Sequence, residues 1–220
     1  VLPPSLRVWL GPIAALAALV VVVLGVLYAD DGEPGTVDTW FVDPTADSVQ
    51  PPWRRVALAV DFLGEPAGAA ALVVATVTGC LLLRRPRTAV LAVVGTGATV
   101  GTATLLKHLA GRTIHGDGNL SYPSGHTAFA TALALVVALL ATGRLGLGRT
   151  AGTSLVLAAA LVAGAAMGWA QVALGAHYPT DVLGGWCTAL AVVPATAWLV
   201  DRTADRLVGR MADAGRRERS

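Results

Sequence analysis

Three short segments of this 220-residue chain carry residue types that can act together on a phosphorylated substrate. Lys107 and Arg112 form the first, Ser121-Tyr122-Pro123-Ser124-Gly125-His126 the second, and Gln171, His177 and Asp181 the third. The two cations can neutralise phosphate oxygens, arginine with a planar fork and lysine as a point charge. The second segment ends where an apolar run begins, so free N–H groups and the positive end of a helix would face an anion there. Gly125 permits close approach of the backbone. Two histidines offer what phosphoryl transfer through an enzyme-bound intermediate needs, one as nucleophile and one as acid for the leaving oxygen. Asp181, four residues after His177, can keep one ring nitrogen protonated so that the other attacks phosphorus. Pro179 marks a helix start that puts Asp181 in the first turn. Lys107 is the only lysine among sixteen basic residues, and such isolation calls for a local role.

The elements that must position these residues are membrane helices. Apolar side chains make up 55% of the chain and charged ones 14%, against about a quarter charged in an ordinary soluble domain. Uncharged windows occur at 8–29, 66–83, 88–106, 127–143, 150–176 and 182–200, and a helix needs roughly 17–25 residues to cross the hydrocarbon core. No sustained period-2 alternation supports barrel strands, whereas helices satisfy their own backbone in lipid. The expected fold is all-α, a six-transmembrane-helix bundle over 1–200. Its outer loop covers 30–55, residues 56–65 form an interfacial helix or an early extension of the second span, and 201–220 is a basic cytoplasmic tail. The first span reads as an anchor rather than a cleaved secretory signal.

Arginine placement sets the orientation, because cytoplasmic loops retain positive charge. With the N-terminus inside, twelve basic residues (Arg7, Arg84, Arg85, Arg87, Arg144, Arg149, Arg202, Arg206, Arg210, Arg216, Arg217 and Arg219) are cytoplasmic. Arg54, Arg55, Lys107 and Arg112 are outside, with Asp30, Asp31, Glu33, Asp38, Asp43 and Asp47. All three polar segments then share the extracytoplasmic end, an arrangement unlike the midplane polar path of a channel or transporter. The net charge of +2 gives no pull toward nucleic acid. Cys80 and Cys187 sit in apolar runs without paired spacing, which reads as buried inert thiols and excludes a metal–thiolate site. Trp40, Trp53, Trp169, Trp186 and Trp198 fall near expected interfaces, where indoles anchor.

Lys107…Arg112, the Ser124-Gly125-His126 core of the second segment, and Gly175-Ala176-His177-Tyr178-Pro179-Thr180-Asp181-Val182-Leu183-Gly184-Gly185 resemble the three signature motifs of the type 2 phosphatidic acid phosphatases, the integral-membrane lipid phosphate phosphatases. Motif order and six-span layout agree, so the resemblance covers nearly everything after residue 60. It implies His177 as the nucleophile that forms a phosphohistidine, Asp181 as its orienting partner and His126 as general acid. Lys107, Arg112, Ser124 and the Gly125 amide would hold the phosphoryl oxygens, with Gln171, His115 and Tyr122 as further candidates and no metal or cofactor. Two positions depart from the pattern: Ile114-His115 stands where the family has Arg-Pro, and Gln171 where the third motif opens with arginine. A charge-assisted hydrogen bond is worth about 1.5–3 kcal/mol, so two absent guanidiniums are a substantial change.

The implied activity is phosphate removal from a lipid phosphate or pyrophosphate in the bilayer. A polyprenyl (pyro)phosphate, phosphatidic acid and phosphatidylglycerol phosphate all fit, because the motif residues contact only phosphate. Two alternatives stay open: a phosphotransferase using the same intermediate, and a weakly active phospholipid-binding protein suggested by Ile114 and Gln171. More modest roles compete residue by residue. Ser124 suits an N-cap, Asp181 a helix N-terminal acid, Lys107 a snorkelling side chain, and His108 and His115 ordinary loop positions.

Overall fold

The computed structural model describes residues 1–45, 49–116 and 118–217, and their side chains except those of 43–45 and 212–217. Among the charges counted above, Asp43, Asp47, Arg216, Arg217 and Arg219 lie outside the described side chains. Eight helices follow one another among the described residues: α1 (Pro4–Leu27), α2 (Thr36–Thr45), α3 (Trp53–Phe62), α4 (Pro66–Leu82), α5 (Pro86–Ala110), α6 (Gly125–Leu145), α7 (Arg149–Ala173) and α8 (Pro179–Arg217). Proline opens α1, α4, α5 and α8, at the position where its missing N–H costs nothing and its fixed φ already suits the helix.

Five helices, α1, α5, α6, α7 and α8, are long and apolar enough to cross a membrane. The pair α3 and α4, bent by 62° at a short break, is the sixth candidate. With 25 residues, α5 reaches about 37 Å at the helical rise, more than the hydrocarbon thickness of about 30 Å. The surface identifies the solvent. On α1, Leu16, Leu19, Val22, Val23, Val26 and Leu27 are exposed, while Leu6, Leu10, Ala17 and Val21 face inward. A water-soluble protein does not leave such a face bare. Hydroxyls in the spans are satisfied locally, as where Thr99, Thr142 and Thr188 donate to the carbonyls of Gly95, Ala138 and Gly184 at 2.8, 2.8 and 2.7 Å.

The core lies where α6 meets α5, α7 and α8, with α1 alongside α8. Two expectations change. The 30–55 segment is not all loop but contains α2, whose N-terminus is fixed by Asp38: its carboxylate accepts from the Gly35 N–H at 3.1 Å, half of a capping box. Trp186 is not free to anchor at an interface, because its indole N–H donates to the Ala160 carbonyl at 2.9 Å and so ties α8 to α7. The span at 182–200 and the arginine-bearing segment after it form one continuous α8. At that end Arg87 pairs with Asp205 at 2.9 Å, and Arg7, Arg84 and Arg85 line the same cavity as Asp201 and Asp205.

Gly185 sets a close backbone approach between α8 and the start of α6. A Cβ there would lie 2.3 Å from the Ser124 carbonyl oxygen and 3.2 Å from the Ala128 nitrogen, both backbone atoms that cannot turn aside. Gly185→Val is therefore expected to destabilise the protein by about 1–3 kcal/mol, the usual cost of overpacking. Thermal unfolding of the detergent-solubilised protein checks this, and an unchanged midpoint would contradict it.

Candidate functional site

The connection from α7 to α8 holds the first part of the site. His177 is buried, and its Nδ1 lies 3.6 Å from Asp181 Oδ2. That carboxylate is pinned on both oxygens, Oδ2 accepting from the Tyr178 N–H at 2.9 Å and Oδ1 from Arg112 at 2.8 Å. Burial pushes the His177 pKa down, the Asp181 interaction opposes it, and the charges of Lys107 and His126 add to the lowering. The neutral ring this favours at neutral pH has a lone pair to offer an electrophile.

Arg112, expected to hold phosphate, is engaged by protein groups. It is fully buried. One terminal nitrogen donates to Thr180 Oγ1 at 2.6 Å and to Asp181 Oδ1, and the other donates to Asp38 Oδ2 at 2.8 Å. The Tyr28 and Tyr178 rings flank the guanidinium at 4.1 and 4.7 Å from their centroids. Asp38 also accepts from the Thr180 N–H and hydroxyl at 2.9 and 3.0 Å. Two buried carboxylates, Asp38 and Asp181, share this one guanidinium. Arg112 thus joins α2 to the start of α8, under the His177 support.

Lys107 projects from the end of α5, with Nζ donating to the carbonyls of Leu120 and Ser121 at 2.6 and 3.2 Å. This braces a short turn in which Thr113 and Leu120 form a bridge and Ser121 N–H donates to the Arg112 carbonyl at 2.8 Å. The turn delivers Ser124, whose hydroxyl caps α6 by accepting from the Thr127 N–H at 3.4 Å, while the Ser124 N–H donates to the Asp181 carbonyl at 2.9 Å. The α6 N-terminus and the α8 N-terminus are thereby joined directly. Ile114 is buried in this turn, so the position that carries the family's arginine is a packing position here. Tyr122 is also fully buried, and its hydroxyl donates to the Val21 carbonyl at 2.6 Å, tying this turn to α1. Exposed His115 meets the Gly175 carbonyl through Nε2 at 2.7 Å and clasps the turn to the α7–α8 connection.

His126, in the first turn of α6, faces residues the sequence reading did not single out. Its Nε2 is 3.6 Å from Asp61 Oδ1 and 3.8 Å from Glu65 Oε1. Gln171, buried on α7, donates its amide to Asp61 Oδ1 at 2.6 Å, so this side chain is engaged by a carboxylate rather than free for phosphate. Ligand atoms of Asp61, Glu65 and His126 lie within 4.8 Å of one another, a spacing compatible with a cation. One turn deeper, Val60, Leu63, Phe129, Leu133, Ala163 and Met167 line an apolar groove of about 510 Å³. Phe129 follows His126 by three residues and Met167 precedes Gln171 by four, so groove and polar cluster are continuous along α6 and α7.

Asp38, Asp61, Glu65 and Tyr28 are the members of these networks that sequence reasoning missed. For Asp61 a signal existed: it is the only charge between Arg55 and Glu65 in an otherwise apolar stretch. Asp38 carried none, being one acid among six in its segment.

Fold and polar cluster together define an integral membrane protein whose helix ends converge two histidines, a lysine and a buried aspartate on one region. The chain belongs to the PAP2 superfamily, whose profile matches residues 67–205. No curated protein matches it in sequence. Among solved structures it is similar to the first transmembrane PAP2 type phosphatidylglycerolphosphate phosphatase from Bacillus subtilis, with a TM-score of 0.68, 21% identity, and coverage of 88% of this chain and 96% of that one. At that identity the likeness concerns the fold; superfamily membership is what supports a phosphatase.

Proposed function

We propose that this protein is a metal-independent lipid phosphate or pyrophosphate phosphatase that works at the extracytoplasmic face through a phosphohistidine on His177. The observation that carries this reading is the juxtaposition of the buried His177–Asp181 pair with an apolar groove that begins one turn below His126. A lipid phosphate needs both. Its headgroup sits among Lys107, the Ser124 hydroxyl and the α6 N-terminal amides including Gly125, and its chain lies in the groove, entering sideways from the outer leaflet.

In the first step His177 Nε2 attacks phosphorus, the P–N bond forms, the bond to the lipid oxygen breaks, and His126 gives that oxygen a proton. In the second step water attacks the phosphohistidine, His126 takes the water's proton, and inorganic phosphate leaves with His177 restored. Asp181 supports the ring through Nδ1 in both steps. Lys107 and the helix N-terminus stabilise the charge on the transferring group. The extracytoplasmic assignment rests on the arginines, which gather at the opposite end of the bundle.

Phosphatidylglycerol phosphate, phosphatidic acid and polyprenyl pyrophosphate in proteoliposomes, assayed with chelator present, test the proposal. Release of phosphate from at least one by wild type and not by His177→Ala is expected. Equal slow release by both would sink the enzyme reading, and labelled phosphate found on an acceptor lipid would make the protein a transferase instead.

A further inference from the structure

We propose that the corner between α3 and α4 positions the general acid: Asp61 holds His126 by its Nε2 edge, and Gln171 holds Asp61. The inference rests on the phosphatase reading above and assigns roles to residues that reading does not use. Four observations converge. Asp61 Oδ1 is 3.6 Å from His126 Nε2, and among the described residues no hydrogen-bond partner reaches that nitrogen. The same Oδ1 accepts from Gln171 at 2.6 Å, which fixes the carboxylate from the α7 side. Glu65 adds a second carboxylate at 3.8 Å. A Cβ on Gly64 would lie 2.3 Å from His126 Cδ2, so the corner's backbone seats directly on the imidazole and a side chain there would displace the ring.

The chemistry follows from charge. The titratable groups facing the His126 ring are Asp61 and Glu65 from the corner and His177 from the α7–α8 connection, with Lys107 of α5 acting on the same His177. A carboxylate at the Nε2 edge orients the ring, leaving the other ring nitrogen to protonate the departing lipid oxygen. The proton moves from His126 to that oxygen as the P–O bond breaks and the P–N bond on His177 forms, while Asp61 stays ionised. This also gives the departure at position 171 a physical reason. A guanidinium there would pair with Asp61 and cancel the charge that His126 uses, whereas a neutral amide fixes the carboxylate without discharging it.

Leaving-group dependence separates positioning from mere structural support. An alkyl phosphate needs an acid for its alkoxide, while p-nitrophenyl phosphate releases a stable anion and needs little help. With chelator present, Asp61→Asn is expected to lower kcat on the lipid phosphate about 10- to 100-fold and on p-nitrophenyl phosphate less than about 3-fold. Asp61→Glu should recover part of the loss on the lipid phosphate, and Gln171→Leu should reproduce that loss more weakly. Equal losses on both substrates, or no recovery in Asp61→Glu, would overturn the proposal. So would wild-type activity that vanishes in chelator and returns with a divalent cation, which would make Asp61, Glu65 and His126 a metal site. Failure of the underlying reading looks different, since wild type would then label no histidine with phosphate, and both proposals would fall.

Discussion

His177→Ala is expected to reduce phosphate release at least about 10³-fold, the scale on which losing a covalent nucleophile is felt. The other histidine of the cluster, His126, faces a different part of the fold, Asp61 and Glu65 at the α3–α4 corner. The same variant should lose the acid-labile, alkali-stable phosphoenzyme label that marks a phosphohistidine. Wild-type pH dependence follows from the environment of the ring. Burial lowers the His177 pKa and Asp181 only partly opposes it. As pH falls through that lowered value, the ring gains a proton, its lone pair is lost and activity drops. The acid limb of kcat/KM should therefore lie below the ordinary histidine value of about 6.5. Asp181→Asn should push the limb lower still, since the opposing carboxylate is gone. An acid limb above the ordinary value, or a label that survives in His177→Ala, would contradict the assignment.

The parts of this arrangement that were legible in the sequence are those written in local spacing. Uncharged runs of span length gave the helices, because lipid forces each segment to satisfy its own backbone. Ser124 before an apolar run gave the α6 cap, and Pro179 two residues before Asp181 gave the α8 start. What stayed hidden depends on pairing across the chain. Arg112 looks the same in sequence whether it faces phosphate or a carboxylate, and its real partners, Asp38 and Asp181, are 74 and 69 residues away. Gln171 likewise reads as a lost phosphate ligand until Asp61, 110 residues earlier, is found against it. Loop composition hid α2 because the Asp38 capping bond that starts it uses the same acid that composition counts as loop-like.

Arg112→Met is expected to cost about 3–5 kcal/mol of stability, the largest structural effect of any single change considered. The magnitude follows from burial, since neither the guanidinium nor its two carboxylate partners has side-chain exposure to water. Removing the guanidinium takes away the cation that bridges buried Asp38 and Asp181, and an uncompensated buried charge is what makes breaking such a group so destabilising. The carboxylates must then take up protons or admit water, and either response loosens Asp181 from the orientation that Tyr178 N–H and Arg112 impose on it. Arg112→Lys should not rescue. A single ammonium cannot span Thr180, Asp181 and Asp38 as the fork does, nor stack between Tyr28 and Tyr178. Asp38→Asn is the informative companion. It leaves Arg112 paired with Asp181 and should cost less in stability than Arg112→Met, while slackening the hold of α2 on the α8 N-terminus. Thermal unfolding in detergent and steady-state kinetics together separate the two roles open to this arginine. A phosphate ligand would raise KM at constant Tm when replaced by lysine; a buried framework cation lowers Tm first, with activity following the fraction folded. A Tm within experimental error of wild type for Arg112→Lys, with KM raised tenfold or more, would return Arg112 to the phosphate.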